Sequence, residues 1–576
     1  MQTASPSSMA FRRALNSWAS EELDPNVDDQ PYFDSFNGND PIRQGGVRNI
    51  YARENIGLLF NYICTGWAEA ILPATIYPFM TNYLNMDGYQ TQAAIVLITF
   101  PYILKTFFAI LSDCLPIMGR RRIPYLIIGW SICLCFLVSC VFVPQTDAYW
   151  KHGDLNTFRD NESLRTVLNP NAPNGGFGYV LMMMGATAGF CMADSAGDAV
   201  MVEFAQREPE NIRGTTQTII TLAKFVSGGV AAAIIAVCFN GVEYGGTFSW
   251  TLSFNQVMLV AAVAPVVGIA TSYFIPDPPI NSDDDDVQTF RETFSDLWNA
   301  AKKRAVWQLM AFNFLNAFFF DAVAAPSDVI KRTWAQVPPI VDGVFNNIFA
   351  VFLFALAMHL TRSHFLHSDW RLVIFVTTVV TVAIQWTVDF VMVFDVVRSP
   401  EFYVGVPLTY QVPVAIRNVV VTFATVEIAD ERFEASTYAL ISTMNLAAGP
   451  ISTSLFKQID ASFLAYKEDI AKDTPEVRWE VAYCLIICYC ARLFSNVTLV
   501  LLPRQKKEAQ ELKLKGNTHS QLALVTFLVG VFALLWGVVT NVMSIYPGTS
   551  CLPIAGGPGC CSDGTPAIHR GSTTAC

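Results

Sequence analysis

Charged side chains stand inside the long apolar runs of this 576-residue chain. Asp194 and Asp198 are four residues apart in one of these runs, so a helix would present both carboxylates on one face. A charge at the centre of a membrane helix costs about 2.5 to 3.5 kcal/mol, which predicts that this face lines the protein interior or a cavity. Carboxylates in such a place can take up protons or accept hydrogen bonds from a polar solute.

Further charges in the apolar runs extend this candidate site. Glu69 and Asp321 stand at comparable places in two halves of the chain, and Lys105 and Arg417 supply positive charge. We expect Arg417 to meet the acid pair, because an offset of 224 residues between similar stretches places it opposite them. Static pairing that only holds the helices together is the alternative. The predicted substrate and proton site comprises Glu69, Lys105, Asp194, Asp198, Asp321 and Arg417.

A short segment between two apolar runs combines an acid, a glycine and arginines. Its chemically distinct positions are Asp113, Gly119, Arg121 and Arg122. An acid at one helix end and arginines at the next can form ion pairs that clamp neighbouring helices and break when the helices move. We therefore predict a gating loop. Retention of positive charge in the cytoplasm would explain the arginines alone, but not the acid and the glycine before them.

The composition indicates the solvent that surrounds these charges. Hydrophobic residues make up 52% of the chain and charged residues 15%, whereas soluble proteins carry roughly 25% charged residues. The net charge of -11 offers no basic surface for nucleic acid. The sequence contains no phosphate-binding loop, zinc-helix or serine-nucleophile motif, so we expect neither an enzyme nor a bound cofactor or metal.

Apolar runs of about 20 residues, the length that crosses a bilayer as a helix, recur along the whole chain. They predict an all-α polytopic membrane protein with two six-helix bundles and a thirteenth transmembrane helix. Val202 to Ala205 and Val426 to Ala429 end the fourth and tenth runs with similar sequences, which supports a duplication. The predicted segments are a disordered acidic cytoplasmic tail (1–54), an N-terminal half (55–275), a cytoplasmic linker (276–304), a C-terminal half (305–502), a basic cytoplasmic segment (503–520), the extra helix (521–545) and a cysteine-containing external tail (546–576).

Lysine and arginine are concentrated in every second connecting segment, beginning with the N-terminal tail. Because such residues are retained on the cytoplasmic side, the N-terminus is predicted to be cytoplasmic. Asn161, in the pattern Asn-x-Ser, then falls in an external loop and is a glycosylation candidate. Four cysteines in the external tail would form a disulfide-tied loop, or stay as free or lipid-modified thiols: Cys551, Cys560, Cys561 and Cys576.

Three stretches of the chain carry more specific patterns. The gating loop reads Lys105-x3-Ala109-x2-Ser112-Asp113-x2-Pro116-Ile117-x-Gly119-x-Arg121-Arg122-x-Pro124-Tyr125. The other two stretches are Asp198 to Glu203 and Glu434 to Leu440. They resemble the signature loop, the end of the fourth span and the entry into the eleventh span of the folate-biopterin transporter family, a branch of the major facilitator superfamily. The resemblance covers about residues 50 to 505 and implies the major facilitator fold.

The resemblance implies a secondary active transporter that works by alternating access and moves a folate, a pterin or a similar metabolite with protons. Arg417 would then bind the carboxylate of a folate bidentately, and an acid would accept hydrogen bonds from a pterin. The expected partners are the small-molecule substrate, protons and the lipid bilayer, with no nucleic acid, and a monomer in the plasma membrane is expected. Carriers of S-adenosylmethionine, sugars or amino acids, and a non-transporting membrane receptor, are the alternatives.

Overall fold

A computed structural model describes residues 46–150, 167–208, 215–277, 289–343, 368–428 and 434–560, with scattered positions between 345 and 357. Within these residues the regular structure is helical, and the strand-like pairs are isolated bridges. In chain order the helices that matter for the site are α1 (Ile56–Ala74), α2 (Gly88–Cys114), α3 (Ile123–Phe142), α4 (Ala172–Gln206), α5 (Thr215–Cys238), α6 (Phe254–Ser272), α7 (Phe290–Ala301), α8 (Arg304–Phe320), α9 (Ser327–Thr333), α10 (Trp370–Val393), α11 (Gln411–Ile428), α12 (Glu434–Asp460), α13 (Lys467–Lys472), α14 (Pro475–Phe494), α15 (Lys506–Lys515) and α16 (Ser520–Ile545).

In the described part of the chain, nine helices are long and apolar enough to cross a membrane. The prediction of an all-α, multi-pass integral membrane protein is therefore confirmed. Other predicted spans fall short for identifiable reasons. The 27-residue α12 is rich in Ser and Thr, and α8 has only 17 residues. The predicted eighth span, 339–361, lies largely outside the described residues.

Buried apolar side chains form three clusters. One cluster runs from Ile50 to Ile275 through α1 to α6 and also includes Ile545 of α16. The other two contain residues between 301 and 533 and between 322 and 489. The apolar cores therefore separate at the linker, as movement of one group of helices against the other would require.

The two ends of the helix bundle are named according to the predicted topology. The inner end holds residues 113–123, 276–277, 289–304 and 503–519, and the outer end holds residues 84–88, 325–340, 461–474 and 546–560. At the inner end the linker contains α7, a helix that was not expected from the sequence. Thr289 caps α7, and its hydrogen bonds lower the pKa of the Glu292 carboxyl.

The thirteenth predicted span, α16, runs from the inner to the outer end. At its start the amide of His519 donates to the carbonyl of Lys302 over 2.9 Å. Beyond its end the Tyr466 hydroxyl donates to the carbonyl of Gly556 over 3.2 Å. Cys551 and Cys560 form a disulfide in this outer segment, which favours the disulfide-tied loop over free thiols. The remaining two cysteines of the tail lie outside the described residues.

Candidate functional site

Asp194 and Asp198 lie on one face of α4 and share a lysine. Lys105 Nζ is 2.5 Å from Asp194 Oδ2 and 2.6 Å from Asp198 Oδ2. The Asp194 side chain is 2% exposed and the Asp198 side chain 36%. One carboxylate is therefore enclosed by protein, whereas the other faces open space, and a single ammonium group neutralises both through short charge-assisted hydrogen bonds.

A second lysine connects Asp194 to Glu69. Lys224 Nζ is 2.7 Å from Glu69 Oε2 and 3.6 Å from Asp194 Oδ2. Gly66 makes this arrangement possible, because a Cβ at residue 66 would lie 2.1 Å from the Lys224 carbonyl oxygen. α1 and α5 thus approach backbone to backbone. Three carboxylates share two ammonium groups in what we call the acid-lysine cluster: Glu69, Lys105, Asp194, Asp198 and Lys224.

A break in α2 positions the first lysine. The helix tightens into a 3-10 segment at Phe100–Leu104, where Pro101 removes a backbone donor, and an α-helical turn restarts at Lys105. The Lys105 carbonyl accepts a hydrogen bond from Ser195 Oγ over 3.1 Å. The interrupted helix is therefore fastened to α4 beside the two carboxylates that its lysine neutralises.

The acid-lysine cluster borders a cavity of about 390 Å³. Glu69, Asp198 and Lys224 line this cavity together with Tyr62 and Gln217. The Tyr62 hydroxyl donates a hydrogen bond to Asp198 Oδ1. Sequence reasoning missed Tyr62, although it stands two helical turns before Glu69 and therefore on the same face of α1. A volume of this size suits a small organic molecule.

Arg417 faces a separate cavity of about 280 Å³. Its guanidinium carbon lies 3.5 Å from the centroid of the Phe320 ring, and the group donates a hydrogen bond to Asn316 Oδ1. The Asn316 amide donates to the Ser495 carbonyl and to Thr498 Oγ1, which directs its own oxygen toward the arginine. Among the described residues, Arg417 Nε is buried without a hydrogen-bond partner. The guanidinium group thus retains donors for a further acceptor.

Asp321 ends α8 directly after Phe320, whose ring the Arg417 guanidinium group contacts. It interacts electrostatically with Arg417 and Arg492. Arg492 is bound elsewhere, since its Nε donates to the Ala322 carbonyl over 2.9 Å. The second cavity is lined by amide side chains around the arginine, namely Asn313, Asn316, Asn418 and Asn445.

The predicted meeting of the acid pair with Arg417 is wrong. Lys105 neutralises Asp194 and Asp198, while Asn316 and the Phe320 ring hold Arg417. Residues at equivalent places in two pseudo-symmetric repeats lie on opposite sides of the axis between them, so equivalence does not bring them into contact. The structure therefore divides the predicted site residues into Glu69, Lys105, Asp194 and Asp198 at one cavity and Arg417, with Asp321 close by, at the other.

Arg122 forms the ion pairs of the predicted gating loop. Its NH1 group is 2.7 Å from Asp113 Oδ1, and its NH2 group is 3.8 Å from Glu203 Oε1. These contacts join the inner ends of α2 and α4 at the start of α3. Of the two predicted arginines, Arg122 is the one that pairs with acids within the described residues. The amides of Arg122 and Ile123 also donate to Asp277 at the start of the linker, each over 2.9 Å.

The tip of the gating loop is a tight turn. The backbone groups of Ile117 and Arg120 exchange two hydrogen bonds of 3.0 Å. Gly119 has a φ of +71°, in the left-handed region that a residue without a Cβ adopts at little cost. Met118 before it is 95% exposed. The turn therefore projects from the inner end while its flanking residues remain joined to the helices.

Hydrogen bonds between the two groups of helices gather at the outer end. Arg332 NH1 donates to Asn85 Oδ1 over 2.5 Å, and Gln92 Nε2 donates to Asp328 Oδ2 over 2.7 Å. The amide of Lys467 donates to Asp87 Oδ1 over 3.0 Å, and its Nζ donates to the Asn85 carbonyl over 2.9 Å. We call these contacts the outer seal, formed by Asn85, Asp87, Gln92, Asp328, Arg332 and Lys467.

Known proteins with the same architecture are membrane carriers. A nucleoside transporter, NupG, superposes with a TM-score of 0.52 at 11% identity, covering 77% of this chain and 99% of its own. A D-xylose-proton symporter gives 0.52 at 11% identity, covering 78% and 97%. Identities this low show the fold alone. The chain therefore has the major facilitator fold predicted from its sequence.

Sequence comparison adds the family resemblance. The BT1 family model matches residues 65–152, which include Lys105 and the gating loop. Probable folate-biopterin transporter 4 of Arabidopsis thaliana is 23% identical over 222 residues. That match spans 38% of this chain and 38% of the relative's length. The resemblance to the folate-biopterin transporters is thus confirmed, and the similar proteins are named as transporters. The glycosylation candidate, Asn161, lies outside the described residues.

Proposed function

We propose that the protein is a secondary active transporter that moves a folate, a pterin or a similar ring-bearing metabolite by alternating access, coupled to protons. The observation that carries the proposal is the acid-lysine cluster beside the 390 Å³ cavity. Packing of apolar helices does not require five ionisable groups, and charges inside membrane helices are retained mainly where they bind solutes, ions or protons.

The charge count of the cluster supports coupling to protons. Three carboxylates share two ammonium groups, so one carboxylate is in excess. Asp198 is the carboxylate suited to proton exchange, because it lines the cavity and accepts from Tyr62 as well as from Lys105. When Asp198 is protonated, Lys105 still has Asp194 as a partner. A proton can therefore enter and leave without exposing an unpaired ammonium group.

The two cavities together suit a substrate with a polar ring and an anionic end. In the first cavity Asp198 and Glu69 can accept hydrogen bonds from ring amino groups, and Phe225 offers an aromatic face. In the second cavity Arg417 has a buried Nε that no group in the described part of the chain accepts from. A guanidinium group in that situation binds a carboxylate through paired charge-assisted hydrogen bonds.

The outer seal supports alternating access with the site turned toward the inner side. Six side chains close the outer end between the two groups of helices, whereas the ion pairs of Arg122 at the inner end join helices of one half only. Following the predicted topology, the N-terminus is cytoplasmic, and the carrier works as a monomer in the plasma membrane. Import then requires the outer seal to break while the inner end closes.

Uptake by proteoliposomes tests this function. Purified protein should be reconstituted and offered labelled folates, pterins, S-adenosylmethionine, sugars and amino acids, with and without an imposed pH gradient. We expect accumulation of a folate or pterin that depends on the gradient, and its loss in Asp198→Asn. Asp395→Asn is the control, because this acid lies at the outer surface beside Arg398. Uptake of a different compound class would overturn the proposed substrate class. Binding of a compound without any uptake would indicate a receptor instead of a transporter.

A further inference from the structure

α16 is bound to the C-terminal helices through α12. Gly537 packs against Pro450, whose carbonyl accepts a hydrogen bond from the Asn541 side chain over 3.1 Å. The hydroxyl groups of Ser454 and Thr540 lie 2.6 Å apart. Polar groups that hydrogen-bond in the absence of water make the two helices a single unit. α16 should therefore move together with α12.

A buried lysine reinforces this attachment. Lys457 of α12 is 1% exposed, and its Nζ donates to Asn541 Oδ1 and Ser544 Oγ of α16, each over 2.6 Å. Ser544 Oγ in turn donates to the carbonyl of Ala555 over 2.8 Å. An enclosed ammonium group is costly unless its hydrogen bonds are made, so separation of α16 from α12 is strongly disfavoured.

The outer part of α16 also contacts the opposite group of helices. Ile545 belongs to the apolar core of α1 to α6, and Val538 and Val542 pack against the same core. The ring of Tyr546 lies 5.3 Å from the ring of Phe177 in α4, edge to face. The same helix that is joined to α12 by hydrogen bonds thus makes apolar contacts across the boundary between the halves.

The segment after α16 closes over this boundary. The Gln458 side chain donates to the Ile554 carbonyl over 2.8 Å, and Tyr466, next to Lys467 of the outer seal, donates to the carbonyl of Gly556. Residue 556 lies against Tyr89 of α2. The disulfide between residues 551 and 560 holds this short segment in a closed loop.

We propose that residues 538–560 form an outer strap that stabilises the closed outer end. The strap is carried by α12, so it must release its apolar contacts with α2 and α4 before the outer end can open. This inference rests on the alternating access of the proposed function. It assigns to the thirteenth helix a role in setting the balance between the inward-facing and outward-facing states, through contacts that lie outside both cavities.

Amide hydrogen exchange in lipid nanodiscs tests the strap without any substrate. The amides of Lys467 and Ile340 donate across the boundary, to Asp87 and Asn240 respectively, and should exchange when the outer end opens. Combining Val542→Ala, Ile545→Ala and Tyr546→Ala removes the apolar side chains through which residues 542, 545 and 546 contact the helices α1 to α6, but leaves the Lys457 hydrogen bonds. We expect severalfold faster exchange at both amides and unchanged exchange within α12.

Two control variants accompany this experiment. The first combines Phe532→Ala, Leu535→Ala and Val539→Ala, which removes side chains of matched size from the exposed face of α16 and should leave the exchange rates of both amides unchanged. Arg332→Ala breaks the outer seal directly. If Arg332→Ala accelerates exchange and the triple variant at residues 542, 545 and 546 does not, the strap inference is wrong. If neither variant accelerates exchange, the outer end does not open, and the proposed alternating access is contradicted. Tyr546→Leu repeats the test should the triple variant not fold.

Discussion

The two cavities hold their positive charges in different ways. At the 390 Å³ cavity Lys105 and Lys224 form ion pairs with three carboxylates. At the 280 Å³ cavity Arg417 rests on a phenyl ring and an amide oxygen. The first arrangement can change its protonation without leaving an unpaired charge. The second keeps a cation available to an anion that arrives from outside the protein.

Under the proposed transport mechanism, this difference assigns a separate task to each of the two cavities. The acid-lysine cluster is suited to exchange protons, and it needs its lysines for stability. Arg417 is suited to recognise an anionic group, and its removal takes away no ion pair from the described residues. Variants of the two regions should therefore separate stability, coupling and recognition.

The largest effect is expected from Lys105→Ala. Its removal leaves Asp194 enclosed with Lys224 3.6 Å away, and breaking a buried ion pair by deleting one partner costs about 3 to 5 kcal/mol. The thermal unfolding midpoint in detergent should fall markedly, while Lys105→Arg should retain most of it. An unchanged midpoint for Lys105→Ala, or an equal fall for Arg417→Gln, would remove the distinction between the two cavities.

Recognition should depend on Arg417. A hydrogen bond to a charged group contributes about 1.5 to 3 kcal/mol, so Arg417→Gln should weaken binding of a carboxylate-bearing folate by about 10-fold to 150-fold. Binding of a pterin without a carboxylate serves as the control and should change little. Isothermal titration of both ligands measures the difference. Equal weakening for the two ligands would mean that Arg417 does not select the anionic group.

The gating loop should affect rate more than binding. Arg122→Ala removes the ion pairs with Asp113 and Glu203, which lie at the inner end and outside both cavities. We expect lower turnover in proteoliposomes with an unchanged dissociation constant. Arg120→Ala, at an exposed position two residues earlier, is the matched control. A loss of binding as large as the loss of rate would place Arg122 in the substrate site.

The smallest effect is expected from Asp473, which lies at the outer end and lines neither of the two cavities. Burial alone raises the pKa of Asp473, but Arg398 and Arg478 donate to it and bring the net pKa below its ordinary value. The contribution of the Asp473 ion pairs to stability is therefore complete above the pKa that Asp473 has in the unfolded chain. It is lost as pH falls through the lower pKa that Asp473 has in the folded protein. Asp473→Asn should cost less than about 1 kcal/mol at neutral pH, and its thermal midpoint should merge with that of the parent protein in acid. A midpoint difference that grows in acid would contradict this sign.

The sequence was sufficient to predict which face of α4 is polar, because the spacing of Asp194 and Asp198 depends on helix geometry alone. It was insufficient to predict their partners. Lys105 and Lys224 reach the acids only because α2 restarts after Pro101 and α5 approaches α1 at Gly66, and both features depend on tertiary packing. Arg417 was expected instead, because the 224-residue offset relates equivalent positions in the two repeats and gives no distance between them.

The role of Asn316 and the contacts of α16 were also not predictable from the sequence. The amide of Asn316 is one of many in an apolar helix, and its importance comes from the two acceptors that orient it. The membrane-spanning character of α16 was predictable from composition. Its contacts with both groups of helices were not, because an apolar face does not identify what it packs against.

In the proposed transport cycle, Asp198 couples proton movement to substrate movement. Proteoliposomes containing Asp198→Asn should be compared with the parent protein in pH-gradient-driven uptake and in exchange of substrate between equal concentrations on both sides. We predict that driven uptake is lost while exchange persists, because exchange requires no net proton movement. Driven uptake at the parent rate and with the parent pH dependence would contradict the account and leave the acid-lysine cluster as a structural feature.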